Sequence, residues 1–149
     1  MSRIQNILVP IDFSDHSGRA LDMAVSLAKE LGAKLELLHS YQLATGAISP
    51  YGVVIPESFD RGVREAAASQ LEQWREKAAA EGVEVKARLC STYPSRGIVD
   101  AAEELGADLI VMGTRGLSGI KHVLLGRVAE RVLRRAPCPV VTVKASDIV

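Results

Sequence analysis

The sequence predicts a single α/β domain: a five-stranded parallel sheet with helices on both faces. Three observations carry this. Short apolar runs alternate with longer stretches of helical period in the order βαβαβαβαβ, the pattern of parallel strands joined by crossover helices. Several of the short runs are too continuously apolar to leave one face in water, as expected for strands covered on both sides. The fourth run, Leu109-Ile110-Val111-Met112, leads directly into a glycine-rich stretch that ends at a helix start. With 149 residues the chain is long enough to close one proper core and short enough that one domain is the expectation.

Taken in order, residues 4–11 are rich in Ile, Leu and Val and read as a buried strand, with Pro10 near its end, where a missing N–H harms the ladder least. Asp12-Phe13-Ser14-Asp15 offers helix caps. Ala20, Ala24, Leu27, Ala28 and Leu31 then fall on one helical face, and Gly32 stops that helix. Residues 35–39 form a second short strand. Residues 42–56 hold no period and contain Gly46, Pro50, Gly52 and Pro56, so they read as a long functional or mobile loop. Residues 57–81 read as a long helix with Val63, Ala67, Leu71, Trp74 and Ala78 inward and Gly82 as the stop. Residues 83–89 alternate like an outer, partly exposed strand. Pro94 suits a first helical turn, and Ile98, Ala101, Ala102 and Leu105 continue that helix to Gly106. Val140–Val143 is the fifth strand. The junction Glu30-Leu31-Gly32-Ala33-Lys34-Leu35 echoes Glu104-Leu105-Gly106-Ala107-Asp108-Leu109, one helix-glycine-strand solution used twice.

Composition excludes several classes. The 18 basic and 18 acidic residues cancel, so no global charge draws the chain to nucleic acid or an anionic membrane. No apolar run approaches the roughly 20 residues of a membrane span. The first residues carry no signal-peptide pattern, and Cys90 and Cys138 form no disulfide framework, so a reducing, cytoplasmic setting is expected. His16, His39 and His122 have no metal-ligand spacing with each other or with the cysteines. Ser14, Ser17 and Ser118 lack a His–Asp partner pattern, and no Walker motif is present.

The site lies in residues 113–128. Glycines there let successive N–H groups converge, and a helix N-terminus adds partial positive charge, a combination that suits phosphate. In parallel sheets ligands bind beyond the carboxyl ends of the strands, where Asp12, Ser40, Tyr41 and Gly113 fall. Of the basic residues that follow, Arg131, Arg134 and Arg135 complement the helix C-terminus, leaving Arg115, Lys121 and Arg127 to face phosphate or solvent.

Two residues separate Gly113 from Gly116 and nine separate Gly116 from Gly126, a spacing that resembles the Gly-x2-Gly-x9-Gly-[Ser/Thr] motif of the nucleotide-binding branch of the universal stress protein family. Ile7-Leu8-Val9-Pro10-Ile11-Asp12-Phe13-Ser14, Leu37-Leu38-His39, the stretch from Asp108 through Gly116, and Ala136-Pro137-Cys138-Pro139-Val140 are similar to further segments of that family, so the resemblance covers almost the whole chain. It implies a Rossmann-like, adenine nucleotide alpha hydrolase-like fold. It also implies a homodimer paired through Val140–Val143, and ATP, or AMP or ADP, as ligand, with Mg or Mn. By the same resemblance Pro10, Ile11, Asp12 and Ser40 would meet the adenosine part and Gly113, Gly116, Ser118 and Gly119 the phosphates. Gly126 would admit the phosphates to the following helix, with Met112, Arg115, Arg127 and Val128 flanking these positions. The implied role is stress response or regulation with an unknown signalling partner. A slow ATPase or phosphotransferase on the same site, and a nucleotide-free interaction module, are the alternatives.

Two positions depart from the motif. Arg127 stands where it has Ser or Thr, and a hydroxyl lost there forfeits about 1 kcal/mol of capping unless Gly126 caps instead. Arg127 then either points to solvent or contacts phosphate. Thr92 stands where the family often has a glycine before its proline.

Overall fold

The computed structural model describes residues 3–42, 51–54, 56–115 and 125–144. Nine elements follow one another: β1 (Asn6–Pro10), α1 (Asp15–Leu31), β2 (Lys34–Ser40), α2 (Glu57–Ala79), β3 (Val85–Cys90), α3 (Pro94–Leu105), β4 (Leu109–Gly113), α4 (Arg127–Arg135) and β5 (Val140–Val143). All strand pairs are parallel, in the order β3-β2-β1-β4-β5. The chain therefore builds outward from β1 to β3, crosses back over the sheet, and builds outward again from β4. Right-handed crossovers then put α1 and α2 on one face and α3 and α4 on the other.

Strand alternation divides the core accordingly. Ile7, Val9, Leu35, Leu37, Leu109 and Val111 face α1 and α2, whereas Leu8, Leu38, Ile110 and Met112 face α3 and α4. Ile7, Leu8 and Val9 are completely buried, each contributing on the order of 2 kcal/mol. This is why β1 reads as continuously apolar: it has no solvent face.

Helix ends follow local chemistry. The Ser14 side chain caps α1, accepting from the Ser17 N–H at 3.2 Å. Gly32 and Gly106 close α1 and α3 in the left-handed conformation at φ +67° and +65°, so the sequence echo is one stop signal used twice. The inward face of α1 is rotated from the expected one: Ser17, Ala20, Leu21, Ala24, Val25 and Ala28 are buried, while Leu27 and Leu31 are half-buried at its margin. Both stripes share Ala20, Ala24 and Ala28, and the one that continues through Leu21 and Val25 joins the core, with Leu27 and Leu31 packed at its margin. In α2 the expected inward positions hold, with Ala67, Leu71 and Ala78 buried and Val63 and Trp74 half-buried.

The two sheet edges differ. At the β3 edge, Arg88 meets the buried Glu36 of β2 at 2.7 Å and Glu104 of α3 at 2.8 Å. At the other edge β5 is Val-Val-Thr-Val, half-buried throughout. Of the expected loop over residues 42–56, residues 43–50 and 55, including Gly46 and Pro50, lie outside the described residues. No helix among the described residues is long and apolar enough to cross a membrane.

Candidate functional site

The site begins with a parting of two strands. β1 pairs with β2 as far as Pro10↔Leu38, but with β4 only through Ile7↔Leu109 and Leu8↔Ile110. The Ile11 N–H donates to the Leu38 carbonyl on the β2 side at 2.7 Å, so Pro10, one residue earlier, faces β4, where it has no N–H to offer. β1 and β4 diverge beyond this point, at the reversal of strand order where α/β sheets form ligand crevices.

A cleft of about 1080 Å³ opens there. Pro10, Ile11 and Asp12 reach it from the end of β1, Ser40 from the end of β2, and Met112, Gly113 and Arg115 from the end of β4 and the residues after it. Gly126, Arg127 and Val128 reach it from the start of α4. The structure thus brings together ten of the residues singled out in the sequence, from four separate stretches of chain. Gly116, Ser118 and Gly119 lie outside the described residues.

The turn after β1 is held in a specific shape. Phe13 adopts a left-handed conformation at φ +66°, uncommon for a bulky residue, and its ring packs against His39 at 4.4 Å and edge-on to Trp74 at 5.5 Å. One Asp12 carboxylate oxygen accepts the Ser14 N–H at 3.0 Å and also the Ser14 hydroxyl. Asp12 thus closes the turn and also faces the cleft. His39 is used structurally, its Nδ1 lying 2.7 Å from the Ile11 carbonyl. Ser40 donates its hydroxyl to the Thr92 carbonyl, tying the end of β2 to the rim before α3.

The two described motif glycines have steric reasons of their own. A Cβ on Gly113 would lie 2.8 Å from the His16 Cβ and 2.9 Å from its carbonyl carbon, because the first turn of α1 rests directly on the end of β4. Gly126 is the N-cap of α4 and donates its N–H to the Thr114 carbonyl at 2.6 Å, while a Cβ there would sit 3.2 Å from that same oxygen. The strand end and the helix start therefore touch.

Among the described residues no side chain caps α4. The N–H groups of its first turn have no acceptor within the helix and stand at the positive end of its dipole. Arg127, the first helical residue, is exposed and lines the cleft, one position past the Gly126 N-cap, and Glu130 is the acidic residue of the same first turn. The cleft has two characters: an apolar wall of Pro10, Ile11, Leu38, Ile98 and Met112, and an electropositive end at Gly126 and Arg127. A flat heteroaromatic ring fits the first and an anionic group the second.

Sequence reasoning missed the third wall. Tyr93, Pro94 and Ile98 at the start of α3 line the cleft, as do Leu38 and Thr114. Pro94 marked a helix start, but only the crossover from β3 carries that start back over the sheet. Among the described residues no cluster of His, Cys, Asp or Glu could hold a metal ion. Asp12 and Glu130 are the cleft's acidic side chains among those residues, so a divalent ion there would take most of its ligands from phosphate and water. Ser14 and Ser17 are engaged in the cap, the Ser17 hydroxyl donating to the Ser14 carbonyl at 3.0 Å, and neither is poised as a nucleophile.

The universal stress protein family profile matches residues 3–144. The universal stress protein YxiE of Bacillus subtilis is 40% identical over 144 residues, covering 93% of this chain and 97% of that protein. A universal stress protein in complex with cAMP superposes with a TM-score of 0.72 at 30% identity, over 96% of this chain and 98% of that one. One from Archaeoglobus fulgidus in complex with dAMP superposes with a TM-score of 0.65 at 26% identity, over 95% and 98%. The chain belongs to the universal stress protein family.

Proposed function

We propose that this universal stress protein binds an adenine nucleotide in the cleft where β1 and β4 part, with ATP as the principal ligand and AMP or ADP as variants of it. The reading is carried by one observation: ten residues expected to form such a site line a single cleft, although they come from four stretches of chain. Two structural relatives solved in complex with cAMP and dAMP support the adenine assignment. Adenine would lie on the apolar wall near Pro10, Ile11 and Met112, with Asp12 and Ser40 toward the ribose. The phosphates would reach Gly126 and the α4 N-terminus, where N–H groups and the helix dipole favour negative charge. Mg or Mn, when bound, would neutralise phosphate oxygens, and this chain's own contribution would be to position the chain of phosphates.

The protein acts in this reading as a cytoplasmic regulator in stress response, presenting a nucleotide-dependent surface to a signalling partner. Ligand does this only by favouring one conformation over another. It works as a homodimer through β5. The contrast between edges supports this: β3 carries Lys86 and Arg88, which discourage strand addition, whereas β5 is short and apolar.

Protein purified without added nucleotide, then heated to release bound small molecules, is expected to yield ATP or AMP on chromatography. Equilibrium binding of labelled ATP with Mg²⁺ present is the companion measurement. A protein that carries no nucleotide and binds none would refute the reading in favour of a nucleotide-free interaction module.

A further inference from the structure

We propose that Arg127 makes this cleft select a terminal, dianionic phosphate over a cyclic phosphodiester. The inference rests on the adenine-nucleotide reading above and assigns its specificity.

Three features of α4 converge on Arg127. It is the first residue of the helix, where a cation is disfavoured by the dipole, and among the described residues no side chain caps the helix beside it. Glu130, three residues on and the natural intrahelical partner, is instead drawn to Arg134 at 2.8 Å. Among the described residues no ion pair engages Arg127. Arg131, four residues on and so on the same face, adds a like charge and is held near the cleft by stacking over the Tyr93 ring, 5.4 Å from its centroid. Tyr93 itself lines the cleft. Arg127 and the helix N-terminus therefore share one end of the cleft, with Arg131 beside it over Tyr93, while Glu130, which also lines the cleft, is paired with Arg134.

An anion relieves all three sources of unfavourable charge, and the more charge it brings the better. A phosphate monoester carries about −1.5 to −2 at neutral pH and presents three oxygens to a guanidinium fork. A cyclic phosphodiester carries a single negative charge and two free oxygens, with its remaining oxygens bonded to ribose. A hydroxyl in place of Arg127 would donate one neutral hydrogen bond to either and would discriminate little between them.

Dissociation constants of AMP, ATP, cAMP and adenosine for wild type, Arg127→Gln and Arg127→Lys, at one fixed ionic strength, test this. Wild type is expected to bind AMP about tenfold more tightly than cAMP, the scale of one charge-assisted hydrogen bond. Arg127→Gln should lower AMP affinity about tenfold and adenosine affinity less than about twofold, bringing AMP and cAMP close together. Arg127→Lys should retain part of the preference, because it keeps charge without the fork. Arg96→Gln, which removes an exposed cation of α3 with 79% side-chain exposure, should leave the AMP-to-cAMP ratio unchanged and so separates local from global charge. If nucleotides bind but Arg127→Gln leaves that ratio where it was, the inference fails while the nucleotide reading stands. If wild type binds none of the four ligands, the nucleotide reading itself fails.

Discussion

Gly113 offers the sharpest separation of packing from ligand chemistry. Its φ is not in the left-handed region, so nothing in its own backbone demands glycine. The demand comes from α1. An alanine methyl would meet His16 at 2.8 Å from Cβ, 2.9 Å from the carbonyl carbon and 3.0 Å from the carbonyl oxygen. Two of these three atoms are backbone, in a turn already anchored by the Ser14 cap, so no side-chain rotation relieves the clash. The first turn of α1 or the end of β4 must move. Overpacking of this kind costs about 1–3 kcal/mol. For a chain of this size that corresponds to a fall of roughly 3–10 °C in melting temperature. Circular-dichroism melting of Gly113→Ala, with no nucleotide added, checks it. Two comparisons calibrate the result. Gly126→Ala places its methyl 3.2 Å from one carbonyl oxygen and also replaces a favoured N-cap residue, so it should cost about 1 kcal/mol. Gly62→Ala, mid-helix in α2 with nothing within 4 Å, should stabilise by about 0.5–1 kcal/mol. A Gly113→Ala protein melting within about 1 °C of wild type would refute the packing argument and leave phosphate contact as the reason for that glycine.

Three further outcomes are expected. Ser14→Ala removes both the cap on the Ser17 N–H and a donor to Asp12, and should cost about 1–2 kcal/mol in urea unfolding; an unchanged midpoint would show that water replaces the cap. Glu36→Gln weakens the link from buried β2 through Arg88 to α3 and should cost about 1–3 kcal/mol, whereas Lys29→Ala, which breaks an exposed pair with Glu81 at 3.1 Å, should change stability by less than about 1 kcal/mol. Burial, and secondarily the Asp108 carboxylate, push the Cys138 thiol above the ordinary thiol range. Its thiolate is disfavoured in the folded state, so alkylation should be slow at neutral pH and accelerate only as pH rises past that range; a rate equal to that of a free cysteine near pH 8 would count against it.

What the chain declared in advance was local. Continuous apolarity marked β1 as covered on both faces, Gly32 and Gly106 marked helix ends, and Ser14 lay within the stretch read as helix caps, because strand burial, left-handed stops and caps are each decided within a few residues. Part of the cleft's membership was legible from the strand-end rule, which pointed to Asp12, Ser40 and Gly113, and the rest only through the family resemblance. The steric reasons for its parts were not legible at all. Gly113 is glycine because of His16, far away in the chain; Glu36 is tolerated inside β2 because Arg88 reaches it from β3, itself held by Glu104 of α3; and Tyr93, Pro94 and Ile98 become a wall because the crossover after β3 returns over the sheet. Periodicity reports which face of an element turns inward, but not which element it will meet. That is set by strand order, and the reversal between β1 and β4 is what made a site from residues that sequence alone leaves far apart.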